Sequence, residues 1–353
     1  MLSLPGPRPV SANAVPRVEH NETINRMRPP KRRAPVVAVL ADHRGCETTD
    51  FIVPWSVLTR SAVCEVRTVG ARKGAIQLMP ALRIGVELTT EEFDQLYPDG
   101  ADYVIVPAFH DPKNSPALAW IKNQSRGGAT MIGICAGALP LAYAGVLADK
   151  HATTHWFDQS TLSGVSPSTT IVKDRRYVAD DGVVTSTGVS ASLPLALALV
   201  EAVAGYDKAS DLAASLQVRH FDARHVSDNF KLRPQDALRV AVNWSALWRH
   251  EKIAGAISTD TDELALALEA DAWSRTYRSR YLTYNAEHSV VSAHGLQIFR
   301  DIAPERSKSM VAAPRTVQPG GLRLIEVLDQ IAERYGEQTA ALVALQLEYP
   351  WPA

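Results

Sequence analysis

The sequence predicts a doubly wound α/β domain with a mostly parallel sheet over residues 35–220. A shortened second copy, or an appended α/β half-domain, is expected over 251–353. Three observations predict this. Short Val- and Ile-rich runs alternate with helix-length segments, the order that buries a parallel sheet between two helical layers. One such run, Thr130-Met131-Ile132-Gly133-Ile134, passes directly into Cys135 and a helix, with Gly133 and Gly137 close on either side. After residue 251 a similar order of elements begins again, without a strand–Cys–helix turn.

Taken in order, Val36 to Leu40 is a continuous apolar run, the pattern of a strand buried on both faces. His43-Arg44-Gly45 reads as a turn and Phe51 to Leu58 as a helix. Val63 to Val69 alternates as a second strand, Ile76 to Gly85 suggests a hairpin, and Tyr103 to Pro107 is another buried strand. A helix is expected around Ala117 to Asn123, with Gly127-Gly128 breaking it before the Thr130 strand. A helix from Ala138 to Ala144 follows the cysteine. Thr169–Val172 with Arg176–Ala179 reads as a hairpin, Val183–Ser186 as a strand, and Ser192–Gly205 as an apolar helix.

Beyond a connector at 221–250, Lys252 to Ile257 reads as an opening strand and Leu264 to Trp273 as a helix. Arg280–Tyr284, Ser289–Val291 and Met310–Pro314 continue in the order seen from Val36 to Pro107. The endings also echo. Leu195–Val218 and Leu324–Leu347 each hold an apolar helix, a break at Gly205 or Gly336, and an alanine-rich helix. The alternative is helical decoration unrelated to the first domain.

Composition sets outer bounds. The 353 residues are 46% hydrophobic and 21% charged, with a formal net charge of −1 and a pI near 6.8. That balance favours neither nucleic acid nor an anionic membrane as a partner. Three cysteines without a CxxC pair form neither a disulfide framework nor a zinc site, and no metal constellation is visible. A reducing, cytoplasmic setting fits. No apolar stretch reaches the roughly 20 residues of a membrane helix. Residues 1–34 hold four prolines before Pro29-Pro30, then Lys31-Arg32-Arg33, and no apolar signal core. They are expected to form a disordered arm, with a basic docking arm as the alternative.

Cys135 is the first candidate for chemistry. A useful thiol needs surroundings that stabilise its thiolate, and a strand-to-helix turn aims unpaired backbone N–H groups at the sulfur. A buried structural cysteine is the competing reading. Asp50 lies in the first turn of the helix after the first strand, four residues before Pro54. Loops at the C-terminal ends of parallel strands share one edge, so Asp50 can face Cys135 as a general acid/base. A carboxylate that only complements the helix dipole is the plainer alternative. His155, in Thr153-Thr154-His155-Trp156, is a candidate proton shuttle, and His110 and His43 lie next to strand ends.

The run from Ile134-Cys135-Ala136-Gly137 through Ala144-Gly145-Val146-Leu147-Ala148 to Ala152-Thr153-Thr154-His155-Trp156 resembles the ThiJ/PfpI family. That family belongs to the class I glutamine amidotransferase-like superfamily, with a flavodoxin-like fold. Thr185-Ser186-Thr187-Gly188 and the helix after it are similar to the branch holding isonitrile hydratases and the sensor halves of AraC-type regulators. The resemblance implies Cys135 as nucleophile, Asp50 as its hydrogen-bonding acid, and His155 at the position of a frequent auxiliary histidine. It also implies an oxyanion or pocket site formed by Ala136, Ala108 and Phe109, with His110 beside it. Two positions depart from the pattern. Ala108-Phe109 stands where many members have glycines, and Ala136 where isonitrile hydratases have threonine and the peptidase-like branch histidine. Residues 221–353 show no basic recognition helix of a DNA-binding domain.

The function expected is a cysteine-dependent hydrolase or lyase, hydratase-like, acting on a small carbonyl or nitrile-like substrate without cofactor or metal. The alternative is a metabolite- or redox-sensing module that binds in the same pocket without turnover. A homodimer, or an internal pseudo-dimer with 251–353 packed on the first domain, is expected.

Overall fold

The structure is a computed structural model that describes residues 9–314 and 319–351. The chain begins with α1 (Arg17–Arg26), β1 (Val36–Ala41), α2 (Thr48–Ser61) and β2 (Glu65–Gly70). Next come β3 (Gly74–Gln77), β4 (Arg83–Val86), β5 (Leu88–Thr89), α3 (Thr90–Leu96) and β6 (Tyr103–Val106). Then follow α4 (Ser115–Arg126), β7 (Thr130–Gly133), α5 (Ala138–Tyr143), β8 (His151–Ala152), α6 (Gln159–Val165) and β9 (Thr170–Ile171). The first half closes with β10 (Tyr177–Asp180), β11 (Val183–Ser186), α7 (Ser192–Ala204) and α8 (Tyr206–Ser215).

Seven strands form the main sheet in the order β10-β11-β7-β6-β1-β2-β5. All neighbours are parallel except β10 and β11. Every residue of β1, β6, β7 and β11 is buried. Continuous apolar runs are what a central strand covered by helices on both faces requires. The hairpin expected from Thr169 to Ala179 is corrected. β9 instead pairs in parallel with β8, and β10 turns back onto β11. Asp181 and Gly182 both have positive φ, so this two-residue loop is the turn that closes a hairpin.

The expectation of a disordered arm is also corrected for the described residues. α1 lies against α7 and β10, burying Ile24 and Met27, and the Met27 carbonyl accepts the Tyr103 hydroxyl at 2.7 Å. His20 Nε2 meets Glu201 at 3.0 Å, and Arg26 pairs with Asp180 at 2.9 Å. Composition understates this segment because its docking rests on two apolar anchors and specific charge pairs. Residues 1–8 lie outside the described ones.

The second half follows α9 (Pro234–Ser245), within the segment expected as connector. Its elements are β12 (Glu251–Ala256), α10 (Glu263–Ser274), β13 (Ser279–Tyr284), β14 (Ser289–Val291) and β15 (Gln297–Phe299). They continue with α11 (Pro304–Ser307), β16 (Val311–Ala312), α12 (Gly320–Tyr335) and α13 (Glu337–Gln346). The parallel order β13-β12-β16 corresponds to β2-β1-β6. α7 breaks into α8 at Gly205 (φ 90, ψ 165), and α12 breaks into α13 at Gly336 (φ 89, ψ 153). That backbone region is open essentially to glycine alone, so both breaks need the residue they have. The two helix pairs also end alike, with Gln217 at φ 56 and Glu348 at φ 54.

The halves share structure. β15 pairs antiparallel with β4, with Ile298 opposite Ile84, giving one sheet β14-β15-β4-β3. α10 packs on α2, the helix that carries Asp50. Among the described residues no helix is long and apolar enough to cross a membrane.

Candidate active site

The site lies where the loops after β1, β6 and β7 meet. Glu47 N–H donates to the Ala108 carbonyl at 2.9 Å and His110 N–H to Gly45 at 2.8 Å, joining the first two loops. Cys135 follows β7 in a 3₁₀ turn, Cys135–Gly137, at φ +57. A non-glycine residue there is strained, at a cost of about 1–3 kcal/mol. The turn is held because Ile134 N–H donates to the Val106 carbonyl at 3.0 Å and Thr154 Oγ1 donates to the Cys135 carbonyl at 2.9 Å. Gly137 completes the turn. A Cβ there would lie 2.0 Å from the Val106 carbonyl oxygen, so only glycine lets the turn approach β6.

Asp50 is fully buried in the first turn of α2. Its Oδ2 accepts the Ala108 N–H at 3.2 Å, and its Oδ1 has no hydrogen-bond partner. Burial, then the Glu47 charge, pushes the Asp50 carboxyl well above the usual range, against the Ala108 N–H. Burial likewise pushes the Cys135 thiol up, followed by the charges of Asp50 and Glu47, while the Ala136 N–H at the sulfur works the other way. Burial and the neighbouring acids thus both oppose ionisation of the thiol. α5 spans only six residues, so the local stabiliser of a thiolate is the Ala136 N–H rather than a long helix dipole.

Cys135, Asp50, Ala108 and Ala136 are thus brought together. The hydrogen bonds of the other sequence candidates run to other partners. His155 Nε2 donates to the Gln346 carbonyl at 3.1 Å, and its Nδ1 accepts Phe157 N–H at 3.4 Å. Nε2 is thus engaged at the end of α13 and Nδ1 within its own loop, and neither hydrogen bond goes to Cys135. Phe109 is buried and bridges to Cys46, and His110 is exposed. Both ring nitrogens of His43 face Arg72, at 3.1 and 3.2 Å. The N–H of Ala108, expected in an oxyanion site, is committed to Asp50. Of the other cysteines, Cys46 is pushed up by burial, and Cys64, likewise, to about 12.

Sequence reasoning missed three charged residues. Glu47 caps α2, accepting Asp50 N–H at 2.6 Å and Thr49 Oγ1 at 2.8 Å. Arg275, from α10, donates from Nη2 to Glu47 Oε1 at 2.8 Å. Glu348, after α13, accepts Gly188 N–H, lies 3.3 Å from His225 Nε2, and adds its charge to those raising the thiol. An acid three residues before Asp50 was visible as a cap signal. The other two belong to a half with no local signature of a site. Among the described residues no group of three or more His, Cys, Asp or Glu side chains is arranged to hold a metal ion.

The family model of the DJ-1/PfpI family matches residues 35–202. The protein dj-1beta of Drosophila melanogaster is 26% identical over 182 residues, covering 50% of this chain and 94% of that protein. A crystal structure of Drosophila melanogaster DJ-1beta covers 53% of this chain and all of that one, at 25% identity and a TM-score of 0.47. The isonitrile hydratase of Pseudomonas putida is 29% identical over 174 residues, 48% of this chain and 72% of that protein. The HTH-type transcriptional regulator CdhR of Pseudomonas aeruginosa is 32% identical over 102 residues, 28% of this chain and 30% of that protein. With the strand order, the cysteine turn and the buried acid beside it, residues 35–202 form a domain of the DJ-1/PfpI family.

Proposed function

We propose that the protein is a cysteine-dependent hydrolase or lyase, hydratase-like, acting on a small carbonyl or nitrile-like substrate. The observation that carries this reading is a strained cysteine beside a buried acid with one unpartnered oxygen. In this mechanism the Cys135 sulfur attacks the electrophilic carbon and forms the S–C bond, while the C=X or C≡X π electrons move to X. The thiol proton passes to Asp50 and is returned to X, so no net proton is required. Water then adds its oxygen to the same carbon, and the S–C electron pair returns to sulfur. A proton of that water restores the Cys135 thiol, so the net change is addition of one water to the multiple bond. The Ala136 N–H, which faces sulfur at rest, supports charge developing beside it. The similarity to an isonitrile hydratase supports a small substrate with a carbon–nitrogen multiple bond.

The second reading is a sensor that binds the same ligand without turnover. The similarity to a transcriptional regulator favours it, as does Cys135 being only 8% exposed. Cys135→Ala separates the two in a turnover and ligand-binding screen against small isonitriles, nitriles and aldehydes. An enzyme shows turnover in the wild type and none in the variant. A sensor binds with similar affinity in both and turns nothing over, a result that would reject the enzymatic reading.

A further inference from the structure

Around Cys135 acids outnumber cations. The sulfur is faced by Asp50 and Glu47 at the start of α2 and by Glu348 after α13. Asp271, buried on α10, stands behind Glu47, and His225 faces Glu348. The guanidinium set among them is that of Arg275. Its Nε lies 2.8 and 3.0 Å from the two Asp271 oxygens, and its Nη2 lies 2.8 Å from Glu47. Its carbonyl accepts the Gln346 side-chain amide at 3.0 Å, tying α10 to α13.

The hydrogen bonds show how Arg275 engages Glu47. Glu47 receives three donors, from Arg275, the Asp50 N–H and Thr49 Oγ1. All three bonds use the Glu47 oxygens as acceptors, and Arg275 is the charged donor among them. Asp50 receives one donor, the Ala108 N–H, and its carboxyl also lies against that of Glu47. Without Arg275, two buried carboxyls, Glu47 and Asp271, would face each other with no cation between them.

We propose that Arg275 is a positioning residue for the Cys135–Asp50 pair, supplied in cis by the second half, which holds the Glu47 carboxyl at the start of α2 and balances the acids beside the sulfur. It acts through Glu47 rather than on the substrate. This deepens the reading of Cys135 as a reactive thiol and rests on it.

The test is the pH profile of Cys135 carboxamidomethylation by iodoacetamide in the full chain, resolved by peptide mass spectrometry. Arg275→Gln leaves an uncompensated negative charge near the sulfur. It is expected to slow alkylation at pH 8 by about tenfold, one unit of apparent pKa. Glu47→Gln removes a negative charge while Arg275 stays, and is expected to speed alkylation. The Arg275→Gln/Glu47→Gln pair should return to within roughly threefold of wild type, because the charges cancel. Arg275→Lys should keep most of the rate. A merely structural role would move both single variants the same way and make the pair worse than either. That result, or an unchanged profile in Arg275→Gln, overturns the proposal. Should Arg275→Gln fail to fold, the Glu47→Gln and Arg275→Lys rates still decide it. If wild-type Cys135 resists iodoacetamide at every pH, the thiol reading fails instead. The proposal is then judged by carbon-13 NMR of the Asp50 carboxyl, whose titration must differ from wild type in Arg275→Gln and stay close to it in Arg275→Lys.

Discussion

Arg275 and Glu47 are 228 positions apart in sequence, yet their side chains meet at 2.8 Å. Arg60 and Asp262 make the reciprocal contact at 2.5 Å. In each pair an arginine at the C-terminal end of one helix reaches the N-cap acid of the other, Glu47 capping α2 and Asp262 capping α10. Two such contacts, with Ile84 opposite Ile298 on the shared sheet, tie the second half to the helix that carries Asp50. The C-terminal half is therefore part of the site's architecture.

Removal of residues 251–353 should leave a chain that self-associates. It would uncover the β4 edge and the face of α2 covered by α10, and leave Glu47 without its cation. An open edge beside apolar surface is a template for pairing with another copy. Size-exclusion chromatography with light scattering checks this. A monodisperse, monomeric truncated chain would be the contrary result.

Asp50→Asn should stabilise the protein at pH 8 while abolishing turnover. The folded-state carboxyl titrates above its ordinary value of about 3.9. The folded state therefore holds more protons than the unfolded one across that window, and stability falls as pH rises through it. An amide keeps the contact with the Ala108 N–H and removes this slope. Urea unfolding at pH 5 and pH 8 should show a smaller difference for the variant than for wild type.

Gly137→Ala should be severely destabilising. The added Cβ would meet the Val106 carbonyl oxygen at 2.0 Å, contact with backbone rather than a movable side chain. A loss of roughly 3 kcal/mol is expected from such overpacking, with loss of Cys135 reactivity. Gly164→Ala, with nothing near its Cβ, is the control on thermal unfolding.

Docking of α1 should weaken as pH rises. The Glu201 hydrogen bond holds His20 above its ordinary value of about 6.5, against burial. A raised folded-state value means that this contribution is complete below the ordinary value and is lost as pH passes the raised one. Hydrogen exchange of residues 17–27, corrected for intrinsic rates, should be better protected at pH 6 than at pH 8.5. His20→Ala should remove the difference.

The turn around Cys135 was legible because its cause is local: a buried apolar run, a glycine on each side and a helix after it. Asp50 was legible because parallel strands bring their following loops to one edge. The β10–β11 hairpin was misread although Asp181-Gly182 is a turn signal, because the apolar run at Thr169–Val172 was taken as the partner. His155 was assigned to the thiol from its spacing. Its real partner, the Gln346 carbonyl, comes from 191 positions away. Glu47, Arg275 and Glu348 act through contacts between halves, which no local pattern encodes. α1 was missed for a related reason, since its anchors Ile24 and Met27 show their role only against Tyr103 and α7.

The most direct measurement is the rate of iodoacetamide modification at each cysteine from pH 5 to 10, read by peptide mass spectrometry in wild type and Asp50→Asn. The account predicts that Cys135, its thiol raised by burial and by the charges of Asp50 and Glu47, reacts slowly at neutral pH and faster as pH rises. It also predicts a profile in two coupled steps that collapses to one in Asp50→Asn. A Cys135 already at full rate at neutral pH, or a profile that Asp50→Asn leaves unchanged, would contradict it.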